Sequence, residues 1–231
     1  MIVAVGGAMG EAIGEMLPVA IAVAISSLPV SAVVLTLVTA RGNATGLAFV
    51  LGWILGLGLV GAIVLAGATE AGASDGGEPA AWVSLLNLVL GLLALALGVK
   101  AFRGRPRGGE RPPPPTWMRA LHRFTPAKAA GTALLIAGVS PKNMLLAVAG
   151  AAAIAETGIE AGGQAVAYAL FVVVASIGVA VPVVVAVATG SRAGELLEPI
   201  ELWLAGNNAT IMAVLFVVIG STLIGDAISG A

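Results

Sequence analysis

Gly138-Val139-Ser140-Pro141-Lys142-Asn143 lies inside an apolar run from about 129 to 155. It sets a helix breaker, a charge and an amide side by side near the middle of a segment long enough to cross a bilayer. A charged side chain at the bilayer centre costs at least ~2.5–3.5 kcal/mol on insertion scales, so such a residue is rarely idle. Proline removes one backbone donor and crowds the carbonyl four residues back, which leaves main-chain groups in need of new partners. An earlier counterpart, Ser26-Ser27-Leu28-Pro29, occupies the first apolar run.

The surroundings of that stretch fix its solvent. Of the 231 residues 59% are hydrophobic and only 10% charged, with a mean hydropathy of +1.06, a composition that belongs to a polytopic α-helical membrane protein. Cysteine is absent, which excludes disulfides, thiolate metal sites and thiol relays, and the single histidine, His122, excludes sites built on several imidazoles. The start, Met1-Ile2-Val3-Ala4-Val5, has no positive n-region, so no cleavable signal peptide is expected.

A spanning helix needs roughly 20 apolar residues. Six stretches qualify, at about 14–39, 43–68, 81–102, 128–154, 162–189 and 205–229. Polar connectors are expected at Arg41-Gly42-Asn43, at 70–79, at 156–163 and at 191–206. The one long hydrophilic segment, 103–127, contains Pro112-Pro113-Pro114-Pro115, which predicts a stiff polyproline II spacer. Trp117, Leu121 and Phe124 then recur at helical spacing opposite Arg119, His122 and Arg123, the pattern of a short helix lying on an anionic membrane face. Thr125-Pro126 predicts an N-cap and first turn for the fourth span, and Asn43, Asn207 and Asn208 read as helix starts.

Basic residues orient the chain. Ten of the eleven Lys and Arg fall on one side of a six-span topology, and the eleventh is Lys142. The other side carries only acids: Glu11, Glu15, Glu70, Asp75, Glu78, Glu156, Glu160 and Asp226. The positive-inside rule then puts both termini outside the cytoplasmic (inner) membrane and the long loop in the cytoplasm. Three spans in each half make the halves enter from opposite faces, and Pro29 and Pro141 are 112 residues apart, near half the chain length. The expected fold is therefore all-α, with six transmembrane helices as a 3+3 inverted repeat and helices one and four broken at Pro29 and Pro141. It forms one transmembrane domain, with repeat one at 1–102, a linker at 103–127 and repeat two at 128–231. Matched breaks in inverted halves are the sequence pointer to a transport site at the midplane.

Lys142 is the leading site residue. It stands fourteen residues from both Lys128 and Glu156, or roughly 21 Å of helix each way, too deep for easy snorkelling. No carboxylate interrupts the middle of a span, so its partner is expected to be a substrate anion or the carbonyls freed beside the prolines. Asn143, Ser140, Ser26, Ser27 and Ser31, with Pro141 and Pro29, complete the expected substrate lining. Mending broken helices is the plainer use of such Ser and Asn side chains. Glu11 and Glu15 share a helix face at the outer mouth, where solvated charge is the ordinary outcome. Gly6, Gly10, Gly14 and the pair Gly52 and Gly56 around Trp53 mark small faces for close packing within the protomer or in a homodimer. Trp82 and Trp203 read as interface anchors.

Several of these stretches carry a resemblance to a family. Leu17-Pro18, 24–30 with its Ser26-Ser27-Leu28-Pro29, and 43–53 ending at Trp53 resemble the first two helices of the GAP family. These are the glycolipid-addressing and sulfolipid-addressing proteins of the lysine-exporter superfamily. Phe124-Thr125-Pro126, Ser140-Pro141-Lys142-Asn143-Met144 and 203–209 are similar to its later signatures, so the resemblance covers nearly the whole chain. Ser140 stands where many superfamily members carry Asn. The resemblance implies a cytoplasmic-membrane exporter of envelope lipids such as glycopeptidolipids and sulfolipids, while superfamily relatives that export amino acids or cations leave the substrate class open.

The function expected from all this is a secondary transporter exporting an amphiphile or envelope (glyco)lipid. The alternatives are a small-solute exporter for an amino acid or organic anion, and a non-transporting assembly factor for lipid export that recruits partners through the long loop. No nucleotide motif is present, so a proton gradient or the substrate's own gradient would supply the energy. No Ser/His, Cys/His, paired-acid or metal-ligand constellation lies in the apolar runs, so neither an enzyme nor a metal, a cofactor or a nucleic-acid partner is expected.

Overall fold

In the computed structural model, residues 2–37, 42–70, 81–104 and 124–229 are described. They form eight α-helices: α1 (Ile2–Ala24), α2 (Ser27–Leu37), α3 (Gly42–Glu70), α4 (Ala81–Arg103), α5 (Pro126–Gly138), α6 (Pro141–Glu156), α7 (Ala161–Thr189) and, after a single 3-10 turn at Gly190–Arg192, α8 (Ala193–Ser229). Among the described residues five helices are long and apolar enough to cross a membrane, and α5 with α6, bent by 63° at a short break, brings the number to six when the pair is counted as one span. The chain is a polytopic helical membrane protein. Its large apolar side chains point outward as well as inward: Leu51, Leu55, Ile63, Val173, Val184 and Ile228 are all exposed. In water such a belt would be a liability, whereas against lipid tails it is the natural surface.

With no hydrophobic gain from helix pairing in lipid, close approach has to come from small residues. Gly52 in α3 lies directly against the Ala130 carbonyl of α5, and a Cβ at Gly56 would meet the Leu134 carbonyl at 2.8 Å. These contacts run α5 parallel to α3, from Gly52 at Ala130 to Val60 at Gly138. Between the two glycines Trp53 is fully buried. In the same way Gly178 of α7 lies against the Ala24 carbonyl at the end of α1, and Met9 of α1 reaches Gly163, so α1 runs parallel to α7. The remaining long pair, α4 and α8, crosses antiparallel where Gly91 and Gly220 face each other's carbonyls. Tyr168 and Phe171 stack at 5.1 Å. Tyr168 lies over Gly61 of α3 and Phe171 over Gly150 of α6, and the Tyr168 hydroxyl donates to the Leu57 carbonyl at 3.0 Å. Those two rings knit α3, α6 and α7 together.

Several boundaries differ from those read in the sequence. The first interruption falls at Ile25–Ser26, between α1 and α2, rather than at Pro29. Pro29 is the third residue of α2 and buried; in a first turn the missing N–H has no helical partner to lose, so proline is tolerated there. The second interruption falls at Val139–Ser140, immediately ahead of Pro141, which opens α6. The first apolar helix begins at Ile2, well before residue 14.

The connector expected at 191–206 is helical, and α8 runs through it as a 37-residue helix with Pro199 inside. The Glu, Leu and Ala of that segment are strong helix formers, and its polarity disguised that propensity. Asn207 therefore lies within α8, donating from its amide to the Trp203 carbonyl at 2.9 Å, and does not start a helix. The Thr125 cap is present: its hydroxyl accepts from the Lys128 N–H at 3.4 Å, with Pro126 as the first helical residue. Gly158 (φ +64°) and Gly190 (φ +56°) take the left-handed conformation after α6 and α7, where a side chain would be strained. The polyproline spacer and the surface helix expected at 112–123 lie outside the described residues, as does the connector at 71–79.

Candidate functional site

The break between α5 and α6 is built from its own sequence. Past Leu135 the regular ladder is lost: Pro141 offers no N–H to the Ala137 carbonyl, and the residue before it, Ser140, is held extended at ψ 122°. The amides of Val139 and Ser140 both turn to the Leu135 carbonyl, at 2.9 and 3.3 Å. That leaves the Ile136 carbonyl without its helical donor, and the Asn143 side chain supplies one, Nδ2 to O at 2.9 Å. The mending role expected for a polar residue beside the proline thus falls to Asn143. Ser140 is the N-cap of α6, but its hydroxyl makes no capping bond.

Lys142, the second residue of α6, leaves the break sideways and donates from Nζ to Ser26 Oγ at 2.9 Å. Ser26 is itself the residue at the other interruption, 1% exposed, in the step between α1 and α2. One hydrogen bond therefore joins the two broken points of the chain across 116 positions. The partner is a hydroxyl, which shares the load of hydrogen bonding yet brings no negative charge. The next residue, Asn143, is 2% exposed, turns its Nδ2 to the Ile136 carbonyl and leaves its buried Oδ1 without a hydrogen-bond partner. A ligand carrying an anionic group would supply the charge that Ser26 lacks.

The other expected lining residues are placed less uniformly. Ser31 and Pro29 are buried in α2, Ser27 is half-buried, and Pro141 faces outward. The structure brings Lys142 and Ser26 into contact and turns the Asn143 side chain back to Ile136; no hydrogen bond ties Ser27 or Ser140 side chains to that pair.

A family model matches residues 16–229, from the middle of α1 to the last residue of α8, and its description is "Sap, sulfolipid-1-addressing protein". The chain belongs to that Sap family. No curated protein and no solved structure matches it. The match spans both interruptions, so the Lys142–Ser26 contact of this Sap-family chain lies wholly within the family region. The region also contains a polar contact that the sequence reading passed over. Asn87 of α4, 2% exposed, donates from Nδ2 to Glu156 Oε1 at 2.8 Å. The signal was available: Asn87 is a lone amide in an otherwise apolar span, and polar residues in spans seldom lack a role. Ser176 of α7, buried with an unpartnered hydroxyl, was passed over as well.

Proposed function

We propose that this Sap-family chain is a secondary transporter of the cytoplasmic membrane that exports an amphiphilic or envelope (glyco)lipid bearing an anionic group. The observation that carries the reading is the Lys142–Ser26 hydrogen bond between the two interruptions. A lysine held within a span by a single neutral hydroxyl is poised to exchange that partner for a charged one, since a charge-assisted pair is roughly twice as strong as a neutral contact. The family description, with its sulfolipid, supports a lipid that carries negative charge. On this reading Lys142 meets the anionic head group, Asn143 holds the break open from the Ile136 carbonyl, and Ser26 takes the lysine back when the cargo leaves. Membrane lipids are then the partners of the protein, and its work is movement rather than bond-making chemistry.

An inverted 3+3 repeat accounts for the packing. If α1–α2, α3 and α4 correspond to α5–α6, α7 and α8, then α5 lying along α3 is the counterpart of α1 lying along α7. In each case a glycine of the long helix touches a carbonyl of the broken one. The α4–α8 crossing becomes the point where each half meets its own counterpart, with Gly91 and Gly220 reciprocal. Both termini outside follows from the basic cytoplasmic side.

The test is transport of a fluorescent sulfolipid analogue by purified protein in liposomes. Lys142→Ala is expected to lower the rate at least ~tenfold, the equivalent of one charge-assisted contact, and Lys142→Arg to keep a measurable part of it. Equal rates in wild type and both variants would remove Lys142 from the mechanism, and transport of a small organic anion in preference to the lipid would move the substrate class.

A further inference from the structure

The 37 residues of α8 are more than a bilayer needs. At 1.5 Å per residue they reach roughly 55 Å, against about 30 Å of hydrocarbon, and the apolar span within α8 is Gly206–Ile228. The turns before that span, 193–205, follow Arg192 at the end of the bundle where Lys100 and Arg103 close α4. They present three faces. Ala193 and Leu197 are buried and hold the segment to the bundle. Leu196, Ile200 and Trp203 are each more than half exposed, and spacings of four and three set them in one apolar stripe. Glu195 and Glu198 are exposed on the next face, and among the described residues no ion pair answers either. A first-turn acid such as Glu195 serves the helix dipole, an effect that fades before it reaches Glu198.

Charge selects what covers an apolar stripe beside two carboxylates. The inner leaflet is anionic, and a second copy would bring the same glutamates, so both are disfavoured. The chain's own segment 105–115, outside the described residues, has the complementary composition. It carries Arg105, Arg107 and Arg111 against the single acid Glu110, and then four prolines at 112–115. Arginine pairs with exposed carboxylates through its planar fork, and a proline run docks on aromatic and apolar surfaces at little cost in entropy. Reach agrees with composition. A Cβ at Gly98 of α4 would lie 3.3 Å from the Ala213 carbonyl of α8. Five residues on from Gly98, α4 ends at Arg103, level with about residue 208 of the antiparallel α8. Glu198 is ten residues before that, roughly 15 Å along the helix, and about five extended residues cover the distance. Arg107 and Arg111 stand four and eight residues past Arg103.

We infer that the first turns of α8 are a docking surface for this chain's own segment 105–115. Its arginines face Glu195 and Glu198, and its prolines cover Leu196, Ile200 and Trp203. The contact ties the chain that leaves α4 to α8 by charge as well as by packing. It involves neither Lys142 nor Ser26 and does not rest on the transport reading.

The experiment uses the lack of cysteine. Ile200→Cys in the full-length protein is labelled with an environment-sensitive nitrobenzoxadiazole dye, in nanodiscs of phosphatidylcholine and phosphatidylglycerol. Emission is expected to be blue-shifted and protected from both iodide in the buffer and brominated lipid in the disc. Adding Glu195→Lys/Glu198→Lys should shift the emission to the red and open the dye to iodide. Adding Arg105→Glu/Arg107→Glu/Arg111→Glu to that protein should restore the blue shift and the protection. Quenching by brominated lipid in the Ile200→Cys protein would show that the bilayer covers the stripe. A blue shift lost at one protein per disc would show a second copy there, and quenching by iodide would show that nothing covers it. Emission unmoved by the charge reversal would show that charge does not hold the segment. Each of these four results overturns the docking, and the first three need no charge-reversed variant to fold.

Discussion

Lys142 and Ser26 show how much a single contact can carry inside a membrane. Ser26 is almost fully buried, and its hydroxyl accepts the only hydrogen bond described for the lysine head. Removing that acceptor takes away this hydrogen bond, and losing a hydrogen bond to a charged group costs about 1.5–3 kcal/mol. Contacts between spans often measure less, near ~0.6 kcal/mol, because the unfolded chain in the membrane finds other partners. Ser26→Ala is therefore expected to destabilise the protein by about 1–3 kcal/mol, read as a lowered midpoint in denaturant titration in detergent. Ser26→Thr, which keeps the hydroxyl, should recover most of the loss. A Ser26→Ala protein as stable as wild type would mean that Lys142 finds an equivalent partner. The charge on Lys142 and the strangeness of its position were legible in the sequence. Its partner was not, because nothing in the order of residues says that position 26 meets position 142.

At the scale of the helices, glycine decides which faces touch. Gly52 lies against the Ala130 carbonyl, while Gly58, six residues further along the same helix, has open space where a Cβ would go. Gly52→Ala pushes a methyl group into main chain that belongs to a rigid helix, and overpacking of this kind typically costs about 1–3 kcal/mol. Gly58→Ala meets nothing and relieves helix entropy, a gain of up to ~1 kcal/mol. The two variants should thus shift the melting temperature in opposite directions. Destabilisation of the same size in both would show that α3 tolerates neither, and that the α3–α5 approach is not what Gly52 provides. The sequence reading recognised Gly52 and Gly56 as a packing face from their four-residue spacing. It could not assign α5 as the neighbour. It also placed the first break at Pro29, because proline is the visible breaker, whereas a first-turn proline costs a helix little and the interruption falls at Ile25–Ser26. The long α8 was missed for the converse reason: 191–206 reads as a polar connector, yet its Glu, Leu and Ala favour a helix, which runs on with Pro199 inside it.

Over the whole molecule, the arrangement of charge predicts orientation, and the absence of cysteine makes it easy to check. Gly162 at the start of α7 and Gly194 at the start of α8 are both exposed, with open space around a built side chain. They lie at opposite ends of the bundle. Single cysteines placed there should react differently with a membrane-impermeant maleimide on intact cells: Gly162→Cys is labelled, and Gly194→Cys is labelled only after lysis. The reverse pattern would invert the topology.

The sequence by itself determined the class of this protein, because composition and run length respond to the solvent alone: about 30 Å of hydrocarbon demands long apolar helices whatever their neighbours. It also determined where the ladder fails near Pro141, since a missing N–H is a local fact. Only the tertiary structure decided that the two interruptions meet through Lys142 and Ser26. It alone decided that Asn87 of α4 meets Glu156 at the end of α6. The reason is physical: in lipid, helix pairing gains nothing from hydrophobicity, so neighbours are chosen by shape and by hydrogen bonds between residues far apart in sequence. Hydropathy, the signal that reads the spans so well, is silent about which of them touch.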